Sequence, residues 1–382
     1  MKQTRTFQRR LGWRVGAAAA CVAMGATSAV TATPSPASAA GLATIKVAMV
    51  PKLLGLPVFE ANQKGALSVV HELGISFKFT APATASAEGQ VSIFNSLIAQ
   101  HYNVITLSAD DPTVPVPVLQ KAMKAGIQVI SYDSDVAQSA RDFFIQDTAY
   151  NTIAQGVIDA AVKFAGPNAD VAIMSSTPDA TIQLAWIGAM KSYIAARYPH
   201  LKIVTIGYGQ SNQATSLSQA EGIIHSYPNV KAILPIDGAA VVGTAQAVAA
   251  LHESGKIGVF GIGDPLPNQK YFADGSMQGL FLWNEVGQGK LTMLMARLAY
   301  EGAHGAPECT AKTPPAHPSP SQWCGIRTNY GRAQYFNGAA VGLPGTYSIA
   351  AKANKVSGAT KNTVIFSKPL EFTRSNYKKY DF

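Results

Sequence analysis

Polar and aromatic side chains follow several strand-like segments of this sequence, at the point where each segment ends. Ligands bind at the carboxyl ends of strands in open α/β sheets, so these side chains are candidates for a binding site. Carboxylates accept paired hydrogen bonds from adjacent hydroxyls, and an aromatic ring packs on the C–H face of a pyranose. The set therefore favours a neutral polyol over an anion, and it comprises Lys52, Phe59, Asp133, Asp237, Asp264, Trp283 and Asn284.

Each of these residues also has an ordinary structural alternative. Asp133 could cap a loop, Asp237 could be the N-cap of a helix predicted at 239–253, and Trp283 could lie in the core. Asp is favoured at such caps because its side chain accepts hydrogen bonds from free backbone N–H groups. Taken singly, the residues leave these alternatives open.

The elements that would position these residues alternate between short apolar runs and longer amphipathic stretches. Continuous apolar runs are typical of parallel strands covered on both faces, and a repeated strand–helix–strand order indicates a doubly wound α/β fold. The number of strands favours two Rossmann-like lobes over one sheet. Strands are predicted at 45–50, 77–80, 104–108, 128–132, 171–174, 203–207, 232–235, 258–261 and 278–282, and helices near 58–73, 88–101, 115–125, 149–165, 180–198, 212–227, 239–253 and 285–302.

Composition narrows the class of protein. Apolar residues make up 47% of the 382 residues and charged residues 14%, which excludes a disordered tail or a coiled coil. The net charge of +9 falls to +4 without the five basic residues of the first 40, since 26 basic and 22 acidic residues remain. That balance gives no support for a nucleic-acid or membrane-surface partner.

The first 39 residues have the pattern of an export signal. An apolar stretch from Val15 to Val30 follows a basic segment, and Ala37-Ser38-Ala39 offers a small-x-small cleavage pattern. The sequence therefore predicts a signal peptide over 1–39 and a mature protein in the periplasm or at the extracellular face of the cytoplasmic membrane. Cys21 leaves a lipoprotein open as the alternative, although Ala18 rather than Leu precedes it by three residues.

The other two cysteines, Cys309 and Cys324, lie in a segment whose amino-acid composition differs from that of the rest of the chain. In an oxidising compartment the pair predicts a disulfide, which is favoured over metal binding by two lone cysteines. Residues 303–345 carry clustered Pro, Gly and Ser with little periodicity, which predicts a loop-rich insertion. A last apolar run, Thr363–Phe366, is predicted as an edge strand.

Signatures of catalysis are missing from the sequence. It contains no Gly-x-Ser-x-Gly elbow, no Gly-Lys-Ser/Thr phosphate loop and no His-Glu-x-x-His helix. Gly261 and Gly263 begin a dinucleotide fingerprint, but Leu266 stands at the position of the third glycine. An exported enzyme acting on sugars would need a carboxylate pair, for which Asp133 with Asp237 is the candidate. We expect no catalytic residues, no cofactor and no metal.

Short motifs follow one another through 44–302 in a characteristic order. They are Pro57-Val58-Phe59, Gly65-Ala66, Gln90, the run 102–107, Ala125-Gly126-Ile127, Asp133 and the stretch from Glu221 to Asp237. This succession resembles the periplasmic-type sugar-binding proteins of ABC importers, in the ribose-binding-like class. The resemblance implies the type I periplasmic binding protein fold, with two lobes, three crossovers between them, a ligand cleft and closure at a hinge.

Position along the chain assigns segments to these lobes. Crossovers are expected near 145–148, near 261–264 and within 303–345. The first lobe would then comprise 40–146 and 262–305, and the second lobe 147–261 and 346–382.

A second group of motifs resembles the rhamnose-binding and autoinducer-2-binding branch of the class. The motifs are Pro51-Lys52-Leu53-Leu54-Gly55, Tyr132-Asp133-Ser134-Asp135, Ser175-Ser176 ahead of Trp186, Leu282-Trp283-Asn284 and Lys379-Tyr380-Asp381-Phe382. Autoinducer receptors of that branch use a Lys, an Asp, an Asp-Gln pair and a Pro-Asp-Ala segment. The resemblance matches Lys52, Asp133, Gln183 and Asp237 to these positions.

Three departures from the autoinducer pattern bear on the ligand. Ile182 stands where the paired Asp is expected, Ile236 where the Pro is and Gly238 where the Ala is. Loss of a carboxylate that contacts ligand hydroxyls costs about 1–3 kcal/mol, which argues against autoinducer-2.

The resemblance implies a monomer that captures a monosaccharide, rhamnose or a similar sugar, and delivers it to the permease of an ABC importer. A receptor for autoinducer-2 or for a sugar signal is the alternative, and an exported sugar-active enzyme is a further one. The expected ligand-binding residues are Lys52, Phe59, Asp133, Gln183, Trp186, Asp237, Asp264, Trp283 and Asn284.

Overall fold

The structure, a computed structural model, describes residues 42–84, 86–353 and 359–380. The predicted signal peptide over 1–39, Cys21 and the final Asp381-Phe382 lie outside the described residues. Within the described ranges, no helix combines the length and the apolar character needed to cross a membrane.

The first lobe is built on an eight-stranded sheet in the described part of the chain. Its strand order is β11-β12-β13-β5-β4-β3-β1-β2. The pairs β1–β2, β1–β3, β3–β4, β4–β5 and β5–β13 are parallel, whereas β12 pairs antiparallel with both β11 and β13. The strands are β1 Ile45–Val50, β2 Ile75–Phe79, β3 Val104–Leu107, β4 Gln128–Tyr132, β5 Phe143–Gln146, β11 Gln334–Asn337, β12 Thr346–Ile349 and β13 Thr363–Ile365.

The second lobe is built on a six-stranded sheet in the described residues. Its strand order is β14-β10-β9-β8-β6-β7, and all pairs are parallel except that of β14 with β10. The strands are β6 Asp170–Ser175, β7 Lys202–Tyr208, β8 Val230–Pro235, β9 Gly258–Ile262, β10 Gly279–Leu282 and β14 Leu370–Thr373. The two sheets confirm the expected two-lobed α/β fold.

Helices connect the parallel strands because a parallel pair needs a crossover connection. In the first lobe, α9 packs against α1 and against β1, β3 and β4. In the second lobe, α4 packs against α5 and against β8, β9 and β10. The helices are α1 Pro57–Leu67, α2 Ala87–Ala99, α3 Val116–Lys124, α4 Tyr150–Ala165, α5 Thr181–Arg197, α6 Gln213–Ser226, α7 Gly238–Ala250, α8 Gln269–Asp274 and α9 Glu285–Ala303.

Two glycines allow α1 and α9 to approach closely. An added Cβ at Gly65 would overlap the backbone carbonyl of Val286, and one at Gly289 would overlap the backbone carbonyl of Asn62. No neighbouring side chain can move aside to relieve such an overlap, because the obstructing atoms belong to the backbone. The glycines therefore fix the position of the amino-terminal turns of α9, which the chain enters directly from the second sheet.

Three segments carry the chain between the sheets. They connect β5 to α4 at 147–149, β10 to α9 at 283–284 and β13 to β14 at 366–369. The first coincides with the crossover expected near 145–148. The other two correct the expected positions near 261–264 and within 303–345.

Strand pairing explains both corrections. Because β10 pairs with β9 and β14, residues 262–282 belong to the second lobe and not to the first. Because β12 and β13 extend the first sheet from β5, residues 346–365 belong to the first lobe and not to the second. Strand β13 also lies between β12 and β5, so it is not the edge strand that the sequence predicts.

The segment 303–345 contains the predicted disulfide. Cys309 and Cys324 are bonded, with their Cα atoms 4.8 Å apart. Trp323 is buried in the same segment, and the guanidinium carbon of Arg297 lies 5.7 Å from the centroid of its ring. Since β11 pairs with β12, the end of this segment forms part of the first sheet instead of a surface loop.

Candidate functional site

Lys52 and Asp133 meet at the carboxyl edge of the first sheet. Lys52 follows β1 and Asp133 follows β4, and the Lys52 Nζ lies 3.4 Å from Oδ2 of Asp133. The same carboxylate oxygen accepts a hydrogen bond of 2.5 Å from the hydroxyl of Ser108, which follows β3. Asp133 adopts a left-handed backbone conformation with a φ of 57° and is 9% exposed. Three neighbouring strands thus contribute one polar cluster.

Asp135, two residues further along, has a structural role. Its carboxylate accepts hydrogen bonds from Nε of Arg141 at 2.7 Å and from the second guanidinium nitrogen at 2.9 Å. It also accepts a 2.5 Å hydrogen bond from the hydroxyl of Ser131. The charge of Asp135 is therefore neutralised within the first lobe.

Gln183 is the corresponding polar residue of the second lobe. It lies in the first turn of α5, and its Oε1 accepts hydrogen bonds from the Ser175 hydroxyl at 3.0 Å and from the Ser176 N–H at 3.1 Å. The Ser176 hydroxyl donates to the same oxygen. The amide oxygen of Gln183 therefore faces the end of β6.

Two of the predicted site residues are tryptophans whose rings lie close together. Trp186 lies three residues after Gln183 on α5, and Trp283 directly follows β10. Their ring centroids are 6.2 Å apart, and the two residues are 5% and 2% exposed. Both indole Nε1 atoms are buried, and neither has a hydrogen-bond partner among the described residues. Buried indole N–H groups normally find an acceptor, so both are candidates for a contact with a bound molecule.

Three of the predicted site residues have capping or packing roles. Asp237 is the N-cap of α7, which is the capping role that the sequence offered as its alternative. Its side chain accepts hydrogen bonds of 3.1 Å from the N–H groups of Ala239 and Ala240. Asn284 is the N-cap of α9, and its side chain accepts from the Gly287 N–H at 2.8 Å. Phe59 is 3% exposed and belongs to the hydrophobic core.

Asp264 follows β9 and meets an acid that sequence reasoning missed. This acid is Glu285, which is 0% exposed in the first turn of α9 and whose two carboxyl oxygens have no hydrogen-bond partner among the described residues. Burial raises the pKa of Glu285 well above its ordinary value, and the charge of Asp264 raises it further. Burial also raises the pKa of Asp264.

Asp147 is a second buried acid that sequence reasoning missed. It lies in the first crossing, is 2% exposed, and accepts a hydrogen bond from the Nε2 of Gln288 on α9. Burial raises the pKa of Asp147 well above its ordinary value, with a further contribution from the charge of Asp133. Asn62 on α1 donates to Oε1 of Gln288 at 3.1 Å and to the backbone carbonyl of Glu285 at 2.9 Å.

Sequence offered only a weak signal for these buried acids. A glutamate in the first turn of a helix, such as Glu285, is usually exposed and favoured there by the helix dipole. In 42–84, 86–353 and 359–380, no group of three or more potential ligands could hold a metal ion. The arrangement can accept and donate several hydrogen bonds next to two aromatic rings, which is the chemistry of recognition.

Known proteins share this architecture. L-rhamnose is bound to an ABC transporter solute binding protein from Clostridium phytofermentans, whose structure matches with a TM-score of 0.73 and 26% identity over 89% of this chain and 99% of that one. LsrB from Clostridium saccharobutylicum, in complex with AI-2, matches in fold with a TM-score of 0.73, 24% identity, and coverage of 88% and 100%.

A sequence relative and a family model agree with the fold. The D-allose-binding periplasmic protein of Escherichia coli (strain K12) is 24% identical over 242 residues, which span 61% of this chain and 77% of the relative. Residues 47–304 match the model of the periplasmic binding protein domain. The expected resemblance is thereby confirmed: the chain belongs to the periplasmic binding protein family, and it is a binding protein and not an enzyme.

Proposed function

We propose that this protein captures a monosaccharide, rhamnose or a similar sugar, outside the cytoplasm and delivers it to the permease of an ABC importer. The observation that carries the proposal is the pair of buried indole N–H groups of Trp186 and Trp283, which have no acceptor among the described residues. A ligand oxygen would satisfy them. One oxygen of Asp147 and one of Asp264 are also buried without a donor in the described part of the chain, and ligand hydroxyls would supply it.

Charge favours a neutral ligand over an anion. Several acidic residues lie near Glu285, namely Asp133, Asp147 and Asp264. The cation next to Asp133 is Lys52. A carboxylate or phosphate group in this site would face repulsion from several carboxyl groups. A sugar brings hydroxyls that donate to carboxylates, ring oxygens that accept from N–H groups, and C–H faces that pack on indole rings.

The relatives narrow the class of ligand. The names of the D-allose-binding protein and of the L-rhamnose complex support a monosaccharide. The contact between Lys52 and Asp133 favours autoinducer-2 as the second candidate, because both residues match the autoinducer pattern. Ile182 argues against it, because an aliphatic side chain cannot replace the carboxylate expected beside Gln183.

Export and transfer complete the proposal. The predicted signal peptide over 1–39 supports a location outside the cytoplasm, with a lipid anchor at Cys21 as the alternative. Ligand would draw the two lobes together by bending at the three crossings, and the closed monomer would dock on the permease.

A thermal-shift screen of residues 40–382 tests the proposal. The panel is L-rhamnose, D-allose, D-arabinose, D-fucose and autoinducer-2, added to protein that is refolded to remove co-purified ligand. A ligand at a hundred times its Kd adds about 2.7 kcal/mol to the free energy of unfolding, which raises Tm by several degrees. A shift with one monosaccharide supports the proposal. A shift with autoinducer-2 alone supports the signal receptor, and no shift with any compound contradicts both.

A further inference from the structure

We propose that Leu54 and Leu56 of the first lobe and Leu184 of the second lobe form an apolar latch, whose side chains pack together when the lobes close on a sugar. The latch adds affinity at the mouth of the cleft and keeps water from the polar residues behind it. The inference rests on the proposed function, because it assigns residues that act on the same bound sugar.

The two sheets face each other with their carboxyl edges. The second crossing leads from the carboxyl end of β10 into α9, whose Gln288 contacts Asp147 just beyond the carboxyl end of β5. The first crossing leads from the carboxyl end of β5 into α4, and the far end of α4 places Phe164 against Gly258 at the amino end of β9. Both crossings therefore join one carboxyl edge to the other. The loops that follow the strands of the two sheets lie on opposite walls of the cleft.

Strand order indicates which loops lie opposite each other. Strand β13 adjoins β5 and β14 adjoins β10, so the crossing between β13 and β14 aligns the two sheets. From β5 the first sheet continues with β4, β3 and β1, and from β10 the second sheet continues with β9, β8 and β6. Strands β1 and β6 thus lie three places, or about 14 Å, away from the strands at the crossings. The loops after β1 and β6 lie opposite each other at the mouth of the cleft.

Exposed apolar side chains are concentrated on these two walls. Of the eight large apolar side chains that are exposed among the described residues, five follow strands at the carboxyl edges. Leu54 and Leu56 follow β1, and Leu184 lies in the first turn of α5, after β6. These three are between 37% and 48% exposed. The other two are Val114 after β3 and Leu266 after β9. Apolar groups clustered on facing loops are typical of surfaces that become buried in a contact.

The latch residues flank the polar residues of the candidate site. Leu54 comes two residues after Lys52, and Leu184 directly follows Gln183. Lys52 is paired with Asp133, and the amide oxygen of Gln183 faces the end of β6, whereas the leucines remain in contact with solvent. Burial of the leucines stabilises the closed state, so a sugar that binds the closed state binds more tightly.

Hydroxyl-radical footprinting, analysed by mass spectrometry, measures the burial of individual leucines. With saturating L-rhamnose or D-allose, we expect Leu54 and Leu184 to be oxidised more slowly than in the sugar-free protein. Leu67 is the control, because it is 53% exposed at the end of α1 that leads to β2. Unchanged oxidation of Leu54 and Leu184 in the sugar-bound protein overturns the proposal.

A double-variant cycle tests whether the leucines of the two lobes contact each other. Leu54→Gln and Leu184→Gln keep the approximate size of the side chain, and each should weaken sugar binding about threefold to tenfold in titration calorimetry. The double variant should lose clearly less than the product of the two losses, because either substitution already breaks the contact. The controls Leu67→Gln and Leu184→Met should bind like the wild type. Losses that multiply, or a Kd that neither variant changes, overturn the proposal.

The outcomes separate the latch from the proposed function. If no sugar of the thermal-shift panel binds to the wild-type protein, the proposed function fails and the latch with it. If a sugar binds and the oxidation of the leucines is unchanged, only the latch fails. If Leu54→Gln and Leu184→Gln reduce sugar uptake by cells without changing the Kd, the leucines contact the permease instead, and the latch is overturned.

Discussion

Gln288 on α9 donates a hydrogen bond to the carboxylate of Asp147, a residue of the first crossing between the sheets. The backbone carbonyl of Asp147 also accepts a 3.1 Å hydrogen bond from the N–H of Ser367, which lies in the third crossing. The second crossing leads into Glu285, whose backbone carbonyl accepts a hydrogen bond from the same Asn62 side chain that donates to Gln288. One buried polar network therefore connects the first and third crossings to the residue that follows the second crossing.

Removing the donor from this network should destabilise the protein. Gln288→Leu leaves the buried Asp147 without its hydrogen bond, and we expect a loss of about 1–3 kcal/mol in the free energy of unfolding. Urea denaturation measures the loss. In Asp147→Leu the additional loss from Gln288→Leu should be much smaller, because the acceptor is already gone. Equal losses in both backgrounds would show that the two side chains are not coupled.

Asp133 should dominate the polar contacts of the first lobe. Asp133→Asn removes the charge but tolerates the left-handed backbone at this position, which alanine does not. We expect sugar affinity to fall at least about tenfold, because a hydrogen bond to a charged group contributes about 1.5–3 kcal/mol. Calorimetry with the sugar found in the thermal-shift screen measures the change. Asp170→Asn, at the amino-terminal edge of the second sheet, is the matched control and should bind normally.

The indole N–H groups can be removed without removing an aromatic ring. Trp186→Phe and Trp283→Phe should each weaken sugar binding by about 1 kcal/mol, or roughly fivefold, because the buried N–H no longer reaches a ligand oxygen. Trp323→Phe, in the disulfide segment, is the control and should leave the Kd unchanged. Wild-type affinity in both site variants would mean that their N–H groups do not contact the sugar.

The raised pKa of Asp142 predicts how the stability of the protein depends on pH. Burial raises the pKa of this carboxyl group to about 6, although its Oδ2 accepts a 2.8 Å hydrogen bond from the Val129 N–H. A raised folded-state pKa means that the contribution to stability is complete below the unfolded pKa, near 3.8, and is lost as the pH rises towards about 6.

The corresponding experiment compares wild type with Asp142→Asn, which keeps an acceptor for Val129. Between pH 4 and pH 6 the wild type should lose up to about 1.4 kcal/mol per pH unit relative to the variant. Chemical denaturation at a series of pH values gives both curves. Parallel curves would show that Asp142 titrates normally in the folded protein.

The disulfide should stabilise the fold without affecting binding. Cys309 and Cys324 are separated by 15 residues, and a loop of that size predicts about 3 kcal/mol of stabilisation. We expect the double variant Cys309→Ser/Cys324→Ser to unfold at a lower temperature and to bind sugar with an unchanged Kd. A weaker Kd would connect 303–345 to the ligand site.

The sequence predicted the repeated α/β elements closely because their signals are local. The strands at 45–50 and 128–132 have the predicted bounds, and α9 differs from its prediction by a single residue. Assignment to lobes depends on which strands pair, and no local pattern distinguishes β10 as a member of the second sheet. The short strands β5, β11, β12 and β14 were missed because four residues carry little periodicity, whereas β13 was predicted from its apolar run.

The sequence predicted where the candidate site residues lie relative to the strands, but not what surrounds them. Lys52, Asp133, Asp264 and Trp283 all follow strands, as predicted, and the carboxyl ends of parallel strands lie at the same edge of a sheet. Position after a strand could not distinguish Asp237, which caps α7, from Asp264, whose Oδ1 is buried without a hydrogen-bond partner among the described residues. Burial of Glu285 and Asp147 results from the packing of α9 against α1 and the crossings, which only the three-dimensional structure reveals.

The position of β13 has a consequence for biosynthesis. Strands β1 to β5 leave the ribosome first, yet one edge of β5 stays unpaired until β13 has been translated. By then every strand of the second sheet except β14 has already been made. An unpaired strand edge readily associates with other chains. A nascent chain that stops before Thr363 therefore leaves the edge of β5 free to associate with other chains. The first sheet begins with β1, but β5 gains its second neighbour only after α9 has been translated.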